Sequence, residues 1–458
     1  VIGSGPAGMT TAVSLAEKGF DVMLVEAGGL HLTAESQAQY AGEVVGDPYY
    51  DISFARLRMF GGTSNHWGGY CIPLDSHDFE PHPHFPDTGW PISKSELDPY
   101  LEAACNILEI PNDFEEKLVT PSLRKTRFQF SSPPVKFGYK YDEICRSSVR
   151  LRILLNSVLT DLSIENRTIK GASIKTADGR ELSIRARCFV LCMGGIENSR
   201  LLLWINETHK GRLVQDSRTL GRYWMEHPHA VVAEILVESG PDFFDGGKAS
   251  FALTKRRQFE LGVLNVDLLI EEQAYDTTKG LIADVLCYAP ALGRRLMDLF
   301  GKNLVCGARV RSHWEQEPLF ENHVSLDSAK FDDLGIPQAK LHWKKSESDR
   351  KTIVKTVNEF ARQMADSELG RVRVVNWVAD DGPIATQKIM AGWHHMGGTR
   401  MSESPDQGIV DRELRVHGIE NLYVGGSSVY PSGGYANPTL TIVQLSLRLS
   451  DEIQRRLS

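Results

Sequence analysis

Val1-Ile2-Gly3-Ser4-Gly5-Pro6-Ala7-Gly8 opens the chain, and with Val22-Met23-Leu24-Val25-Glu26 it forms the stretch that decides the fold. Val1 and Ile2 read as the end of a buried strand. Gly3, Gly5 and Gly8 have G-x-G-x-x-G spacing, and Met9, Ala12, Val13 and Ala16 then recur at helical intervals up to Gly19. Val22 to Val25 read as a second buried strand. The first glycine permits a tight turn, the second lets the backbone approach a pyrophosphate, and the third lets the helix lie close to the sheet. The helix N-terminus adds free N–H groups and partial positive charge. Glu26 follows Gly8 by 18 residues, near the spacing of about 20 at which an acid binds ribose hydroxyls. Strand, helix, strand and acid in order point to a dinucleotide site. The plain alternative is a βαβ turn without a ligand.

The 458 residues are enough for two or three lobes. A hydrophobic content of 41% with 24% charged residues describes a globular protein. The net charge of −8 and the lack of Lys/Arg runs argue against nucleic acid as a partner. Cys71, Cys105, Cys145, Cys188, Cys192, Cys287 and Cys306 are scattered, with no C-x-x-C, so no metal site is expected. Such thiols favour a cytoplasmic location. A periplasmic or secreted one stays open, because the strand at Val1 lacks its first half and the numbered sequence is expected to begin after the natural N-terminus. No apolar run of about 20 residues suggests a membrane span.

Residues 27–60 read as polar and irregular. Arg58-Met59-Phe60-Gly61-Gly62-Thr63-Ser64-Asn65-His66-Trp67-Gly68-Gly69-Tyr70 then reads as a loop whose backbone passes close to something flat or bulky. Ser93 to Leu108 predicts an amphipathic helix with a Ser93/Glu96 capping box. Residues 150–187 predict an antiparallel meander with a hairpin turn at 177–180. Cys188 to Trp204 predicts a buried strand, a Gly194-Gly195 turn and a helix, beside the first strand of a parallel sheet. From about 230 to 385 alternating strands (230–237, 304–310, 323–326, 338–343) and a helix over 346–366 predict an antiparallel sheet. The C-terminal motifs Ala391-Gly392-Trp393-His394-His395-Met396-Gly397 and Tyr435-Ala436-Asn437-Pro438-Thr439 flank a strand at 421–429. Pro438 fits the first turn of a final helix with Asn437 as its N-cap.

Taken together, these motifs resemble the glucose–methanol–choline (GMC) oxidoreductases, and most nearly their pyranose oxidase and bacterial sugar dehydrogenase branch. His66-Trp67 in the glycine-rich loop and Asn437 in the final motif carry the branch. The resemblance implies an α/β (α+β overall) fold: a glutathione-reductase-type Rossmann lobe for FAD and a substrate lobe with an antiparallel sheet and flanking helices. Residues 1–70, 140–229 and 386–458 would form the first, and 71–139 and 230–385 the second with its excursions. It implies oxidation of a CH–OH group, most simply a secondary hydroxyl of a sugar or glycoside. An amino sugar or a non-sugar alcohol is the alternative within that chemistry, and an oxynitrilase-like lyase with non-redox FAD the alternative outside it. A small sugar or alcohol and oxygen or another electron acceptor would be the partners.

The resemblance also assigns roles. His394 falls where the family's base stands, with His395 as competitor, and a neutral imidazole suits a base near pH 7. Asn437 falls on the second catalytic position; an amide can orient a hydroxyl but cannot be the base. Its other reading is a helix cap only. His394, His395 and Asn437 would touch substrate. FAD would be held by Gly3, Gly5, Pro6, Ala7, Gly8, Glu26 and Ala27 near the pyrophosphate and ribose, and by Gly61, Gly62, Thr63, Asn65, His66, Trp67 and Gly68 along the flavin. Val158 would lie at the adenine. Gly194, Gly195, Gly426, Ser427, Asn437, Pro438 and Thr439 would complete the set. The branch's S-T-H-W reads Ser64, Asn65, His66, Trp67 here. A covalent link from His66 to FAD is thus one possibility, and non-covalent contact is favoured. Gly426 and Ser427 stand where the family usually has D-(A/G)-S near the ribityl chain, and the missing acid removes one expected contact.

Overall fold

The computed structural model describes residues 1–214, 216–237, 243–244, 247–271, 308–380, 382, 384 and 386–458. Four short strands, joined through the bridging residue Ile2, form one parallel sheet. Leu151–Leu154 pairs with Val22–Val25, Ile2 bridges Val25 and Leu191, and Phe189–Leu191 pairs with Leu422–Val424. Leu24, Val25, Leu191, Leu422 and Val424 are almost wholly buried, as strands covered on both faces require. The first helix, Pro6–Glu17, has proline in its first turn, and Gly19 at φ 90° ends it. It packs against the final helix, Pro438–Leu457. The α/β lobe predicted from the opening motif is therefore present.

A second sheet is antiparallel. Its strands run in the order Gly370–Val374, Pro228–Val237, Ala308–Trp314, Val266–Glu271, Lys248–Leu253, Leu123–Thr126 and Lys117–Thr120. Alternation sorts its faces. Val266, Leu268, Ile270 and Val310 cluster with Ile353, Val357 and Phe360 of the helix Glu347–Asp366. Asp267, Leu269, Arg311 and His313 point to the other face and line a cavity between the two sheets.

Several local expectations are corrected. Residues 27–60 contain a helix, Ala34–Ala38, and a strand, Gly42–Gly46. That strand is recruited by Pro337–Trp343, almost 300 residues away, with which it pairs in parallel. For the same reason 323–343 does not join the large antiparallel sheet: His323–Phe331, Pro337–Trp343 and Gly42–Gly46 form their own. The capping box at Ser93 and Glu96 is present but opens two 3-10 turns, and the α-helix covers only Leu101–Leu108. Pro99 lies inside the second of these turns, with no N–H to continue an α-helical ladder. Leu151–Leu154 leaves the meander for the parallel sheet, and the meander proper is Ser157–Glu165, Thr168–Thr176 and Glu181–Ile184. The strand expected at 304–310 is Ala308–Trp314; positions 304–307, with Cys287 and Cys306, lie outside the described residues. No helix among the described residues is long and apolar enough to cross a membrane.

Candidate active site

A single cavity of about 720 Å³ runs from Glu26 and Val158 beside the parallel sheet to His394, Asn437 and Asp267 beside the antiparallel one. The three N-terminal glycines occupy different surroundings. Gly3 has φ 99°, and a Cβ on it would lie 2.5 Å from the Cys192 carbonyl oxygen. A Cβ on Gly8 would lie 1.8 Å from the Gly3 oxygen, whereas one on Gly5 would meet nothing within 4 Å. Gly8 is thus an internal contact behind the cavity wall, and Gly5 faces open space. Pro6, Ala7 and Ala27 line the cavity with Gly3 and Gly5.

Glu26 is buried. Its Oε2 accepts from Ser4 N (2.9 Å) and Ser4 Oγ (2.6 Å), and its Oε1 from Gly28 N (2.8 Å). A carboxylate has about four acceptor positions, so one stays open for a ribose hydroxyl. Burial raises the Glu26 pKa, and these hydrogen bonds oppose the rise.

The second glycine loop packs on the first: a Cβ on Gly62 would come within 3.0 Å of Gly5 Cα. Gly62, Thr63, His66, Trp67 and Gly68 line the cavity. Two residues expected with them lie behind the wall. Gly61 donates its N–H to Ser4 Oγ (3.0 Å), and a Cβ there would strike Gly138 N at 2.5 Å. Asn65 spends its amide on Phe60 O (3.0 Å) and Gly62 O (2.8 Å), holding its own turn closed. The His66 ring stacks on Trp393, with centroids 5.4 Å apart and planes at 26°. Arg56 and Arg58, although they precede a loop, are buried; Arg56 pairs with Glu197 (3.2 Å).

Gly194 and Gly195 line the cavity as well. Gly195 is where the backbone before the helix Glu197–Thr208 meets His395, whose carbonyl oxygen would be 2.3 Å from a Cβ. Ser427 Oγ donates to that same oxygen (2.7 Å). Gly426, Pro438 and Thr439 complete the lining. The final helix starts here, with unpaired N–H groups and the positive end of its dipole. Asn437 occupies the N-cap position but makes no side-chain cap bond. Instead its Nδ2 lies 3.2 Å from His394 Nε2. The alternative in which its side chain serves only the helix is thereby removed.

His394 is held on three sides. Its Nδ1 lies 2.9 Å from His227 Nδ1, its Nε2 faces Asn437, and its backbone N–H donates to Glu226 Oε1 (2.6 Å). Glu226 Oε1 also accepts from His227 N (2.8 Å), and its Oε2 from the Tyr49 hydroxyl (2.5 Å). Tyr49 in turn meets His395 Nε2 at 3.0 Å. His395 reaches the cavity lining but commits that nitrogen to Tyr49 and packs against Trp224. Burial, then the neighbouring imidazoles of His227, His313, His229 and His395, hold the His394 pKa well below the ordinary histidine value. Burial pushes His227 and His395 down to about 3 and Glu226 up to about 7.

Glu226, His227 and Tyr49 escaped the sequence reading. The available signal was Glu226-His227-Pro228-His229, a polar run at the mouth of a buried strand. The sheet wall escaped it too. His229, His313 and Asp267 stand directly opposite one another across three strands, and Arg311, Leu269 and Ser250 form the next row. Pairing puts them together, and sequence distance hides it.

Comparison with known proteins fits this geometry. A family model described as GMC oxidoreductase matches residues 318–446, and one described as NAD(P)-binding Rossmann-like domain matches residues 1–40. The chain is similar to the fructose dehydrogenase large subunit of Gluconobacter japonicus, 22% identical over 99% of this chain and 97% of that one. It is also similar to 2-methyl-1,2-propanediol dehydrogenase of Mycolicibacterium austroafricanum, 26% identical over 64% of this chain and 52% of that protein's length. A C-glycoside 3-oxidase of Microbacterium trichothecenolyticum is 23% identical over 69% and 57%. The chain thus spans only about half the length of two of these three relatives and nearly all of the third. Among solved structures, pyridoxine 4-oxidase from Mesorbium loti superposes with a TM-score of 0.63 at 14% identity, over 99% of this chain and 98% of that one. Formate oxidase from Aspergillus oryzae RIB40 gives 0.59 at 19%, over 100% and 97%. These two likenesses concern the fold alone. The C-terminal match covers the segment that places His394 and Asn437, the N-terminal match covers the nucleotide loop, and the likeness to the fructose dehydrogenase subunit spans both; the chain thus carries the C-terminal region described for GMC oxidoreductases together with a Rossmann-like nucleotide loop.

Proposed function

We propose that this enzyme oxidises a secondary hydroxyl of a sugar or glycoside, with His394 taking the hydroxyl proton at Nε2 and Asn437 orienting the hydroxyl. The observation that carries the reading is the side chain of Asn437, which leaves the helix cap and faces His394 within the cavity that the nucleotide loop also lines. The residues fit FAD. Gly5 leaves open space where a phosphate needs close backbone approach, Glu26 keeps an acceptor position, and a second helix N-terminus borders the far end of the same cavity. Bound there, FAD supplies the hydride acceptor.

The chain's own residues do the proton chemistry. A neutral imidazole accepts the proton, the Asn437 amide N–H donates to the substrate oxygen, and the cavity walls limit water. Ser250, Asp267, Arg311 and His313 give the opposite wall hydrogen-bonding groups suited to several hydroxyls. Fructose and C-glycosides in the names of two relatives support a sugar, whereas the propanediol enzyme keeps a non-sugar diol as the second reading. The test is anaerobic mixing of the purified holoenzyme with sugars, glycosides, amino sugars and simple diols, following flavin absorbance. A polyol should bleach it. No bleaching by any alcohol would remove the reading.

The depressed His394 pKa sets a pH dependence. A base must be unprotonated, and a lowered pKa keeps it so until the pH falls through that lowered value. In a background without the Glu226 titration, bleaching rates should therefore stay level from pH 8 to about pH 6 and fall only below the ordinary histidine range of about 6.5. Glu226 titrates near 7, so Glu226→Gln is the cleaner background. An acid limb centred near 6.5 in that variant would contradict His394 as the base.

Non-covalent FAD is the reading favoured for His66, whose imidazole is stacked against Trp393 and whose neighbour Asn65 is turned into its own loop. Acid precipitation of the holoenzyme should release the flavin into the supernatant. Flavin retained on the pellet in wild type, and released in His66→Ala, would show the covalent bond instead.

A further inference from the structure

We infer that His227 is a positioning residue that fixes the tautomer of His394, so that Nε2 rather than Nδ1 is the basic atom. This rests on His394 being the base. An amide NH₂ can only donate, so the Asn437 Nδ2 contact at 3.2 Å makes His394 Nε2 an acceptor that carries no proton. The ring proton of a neutral imidazole then sits on Nδ1. At 2.9 Å from it is His227 Nδ1, which must accept. The reverse assignment, with His227 donating, would leave His394 with no ring proton at all. The two rings are nearly perpendicular, at 87° with centroids 5.0 Å apart, so the contact runs edge to edge and is not a stack.

The remaining proton of His227 falls on Nε2. That atom faces the backbone of Gly433 and Gly434, short of full hydrogen-bond geometry. His227 is completely buried, and burial keeps it neutral and able to accept. Glu226 adds the mechanical half. Its Oε1 receives the backbone N–H of both histidines, so the two rings hang from one carboxylate oxygen and keep their separation. The nitrogen at which a histidine is protonated is set by the hydrogen bond the other nitrogen makes. Orienting partners of this kind typically change affinity or activity about 10- to 100-fold when removed from a ligating histidine.

Two substitutions separate this role from simple packing. In His227→Asn the side-chain Oδ1 stands where Nδ1 was and can still accept. His227→Leu fills the volume and accepts nothing. The measurement is the anaerobic flavin reduction rate and the substrate dissociation constant with the most effective polyol, on holoenzyme of equal flavin content. His227→Leu should lose about 10- to 100-fold in rate with little change in dissociation constant, and His227→Asn should recover most of that loss. A packing role predicts the opposite order, and that order would overturn the inference. So would equal rates in both variants. ¹⁵N-histidine NMR of the wild-type holoenzyme gives a readout independent of variant folding. The resonances missing from His394→Ala should belong to an Nδ1–H tautomer, and an Nε2–H pattern sinks the assignment. His394→Ala also keeps the two questions apart: unchanged bleaching there removes the base itself, whereas lost bleaching with an unaffected His227→Leu removes only the role of His227.

Discussion

His394→Ala is expected to slow substrate-driven bleaching of the flavin by roughly 10²–10⁴-fold, the range typical of losing a general base. The protein should still fold and retain FAD. The imidazole projects into the cavity, and its loss leaves Asn437 and His227 facing space that water can enter. Dissociation constants for substrate should change far less than the rate, because the proton is transferred only in the reacting complex. His395→Gln is the matched control. His395 Nε2 is occupied by Tyr49 and its ring lies against Trp224, so this variant should shift stability before rate. A His394→Ala enzyme that bleaches within a few-fold of wild type, beside a dead His395→Gln, would transfer the role to the neighbour.

The glycine loop predicts an equally large contrast between two substitutions of the same size. Gly8→Ala drives a methyl group to 1.8 Å from the Gly3 carbonyl oxygen, backbone against backbone. The first helix would have to lift from the sheet, at a cost of about 3 kcal/mol or more, and poor soluble expression is the expected outcome. Gly5→Ala meets nothing within 4 Å, and Gly5 already has φ −66°, which alanine adopts freely. The apoprotein should therefore melt as wild type does. Its FAD affinity should nonetheless fall about 10- to 100-fold, the equivalent of one displaced methyl at about 1–3 kcal/mol. Thermal denaturation of the stripped protein and flavin-to-protein ratios after dialysis separate the two effects. Gly5→Ala binding FAD as tightly as wild type would mean that this loop does not seat the phosphates.

The parts of the molecule legible in the sequence are those fixed by short-range chemistry. Gly3, Gly5 and Gly8 with Glu26 needed only a helix, two strands and a turn, and Asn437 and Pro438 announced a helix start by their residue types. The parts that stayed hidden depend on partners far along the chain. Gly42–Gly46 is half-exposed, with no apolar alternation of its own, and is a strand only because Pro337–Trp343 pairs with it. His229, His313 and Asp267 look unrelated until registry places them in one row. His227 is hidden in the sequence for a different reason. A buried histidine is ordinarily a packing residue, and only its 2.9 Å approach to His394 distinguishes it.

The parallel sheet takes its strands from positions 2, 22–25, 151–154, 189–191 and, last of all, 422–424. On the ribosome the nucleotide loop emerges about four hundred residues ahead of the outermost strand and of the helix that closes over it. The antiparallel sheet, drawn almost entirely from the intervening chain, has time to form first, since domains fold as units during synthesis. Loading of the cofactor would thus wait until Leu422–Val424 has been made. A nascent chain stalled before Leu422–Val424 should carry a folded second lobe and no flavin.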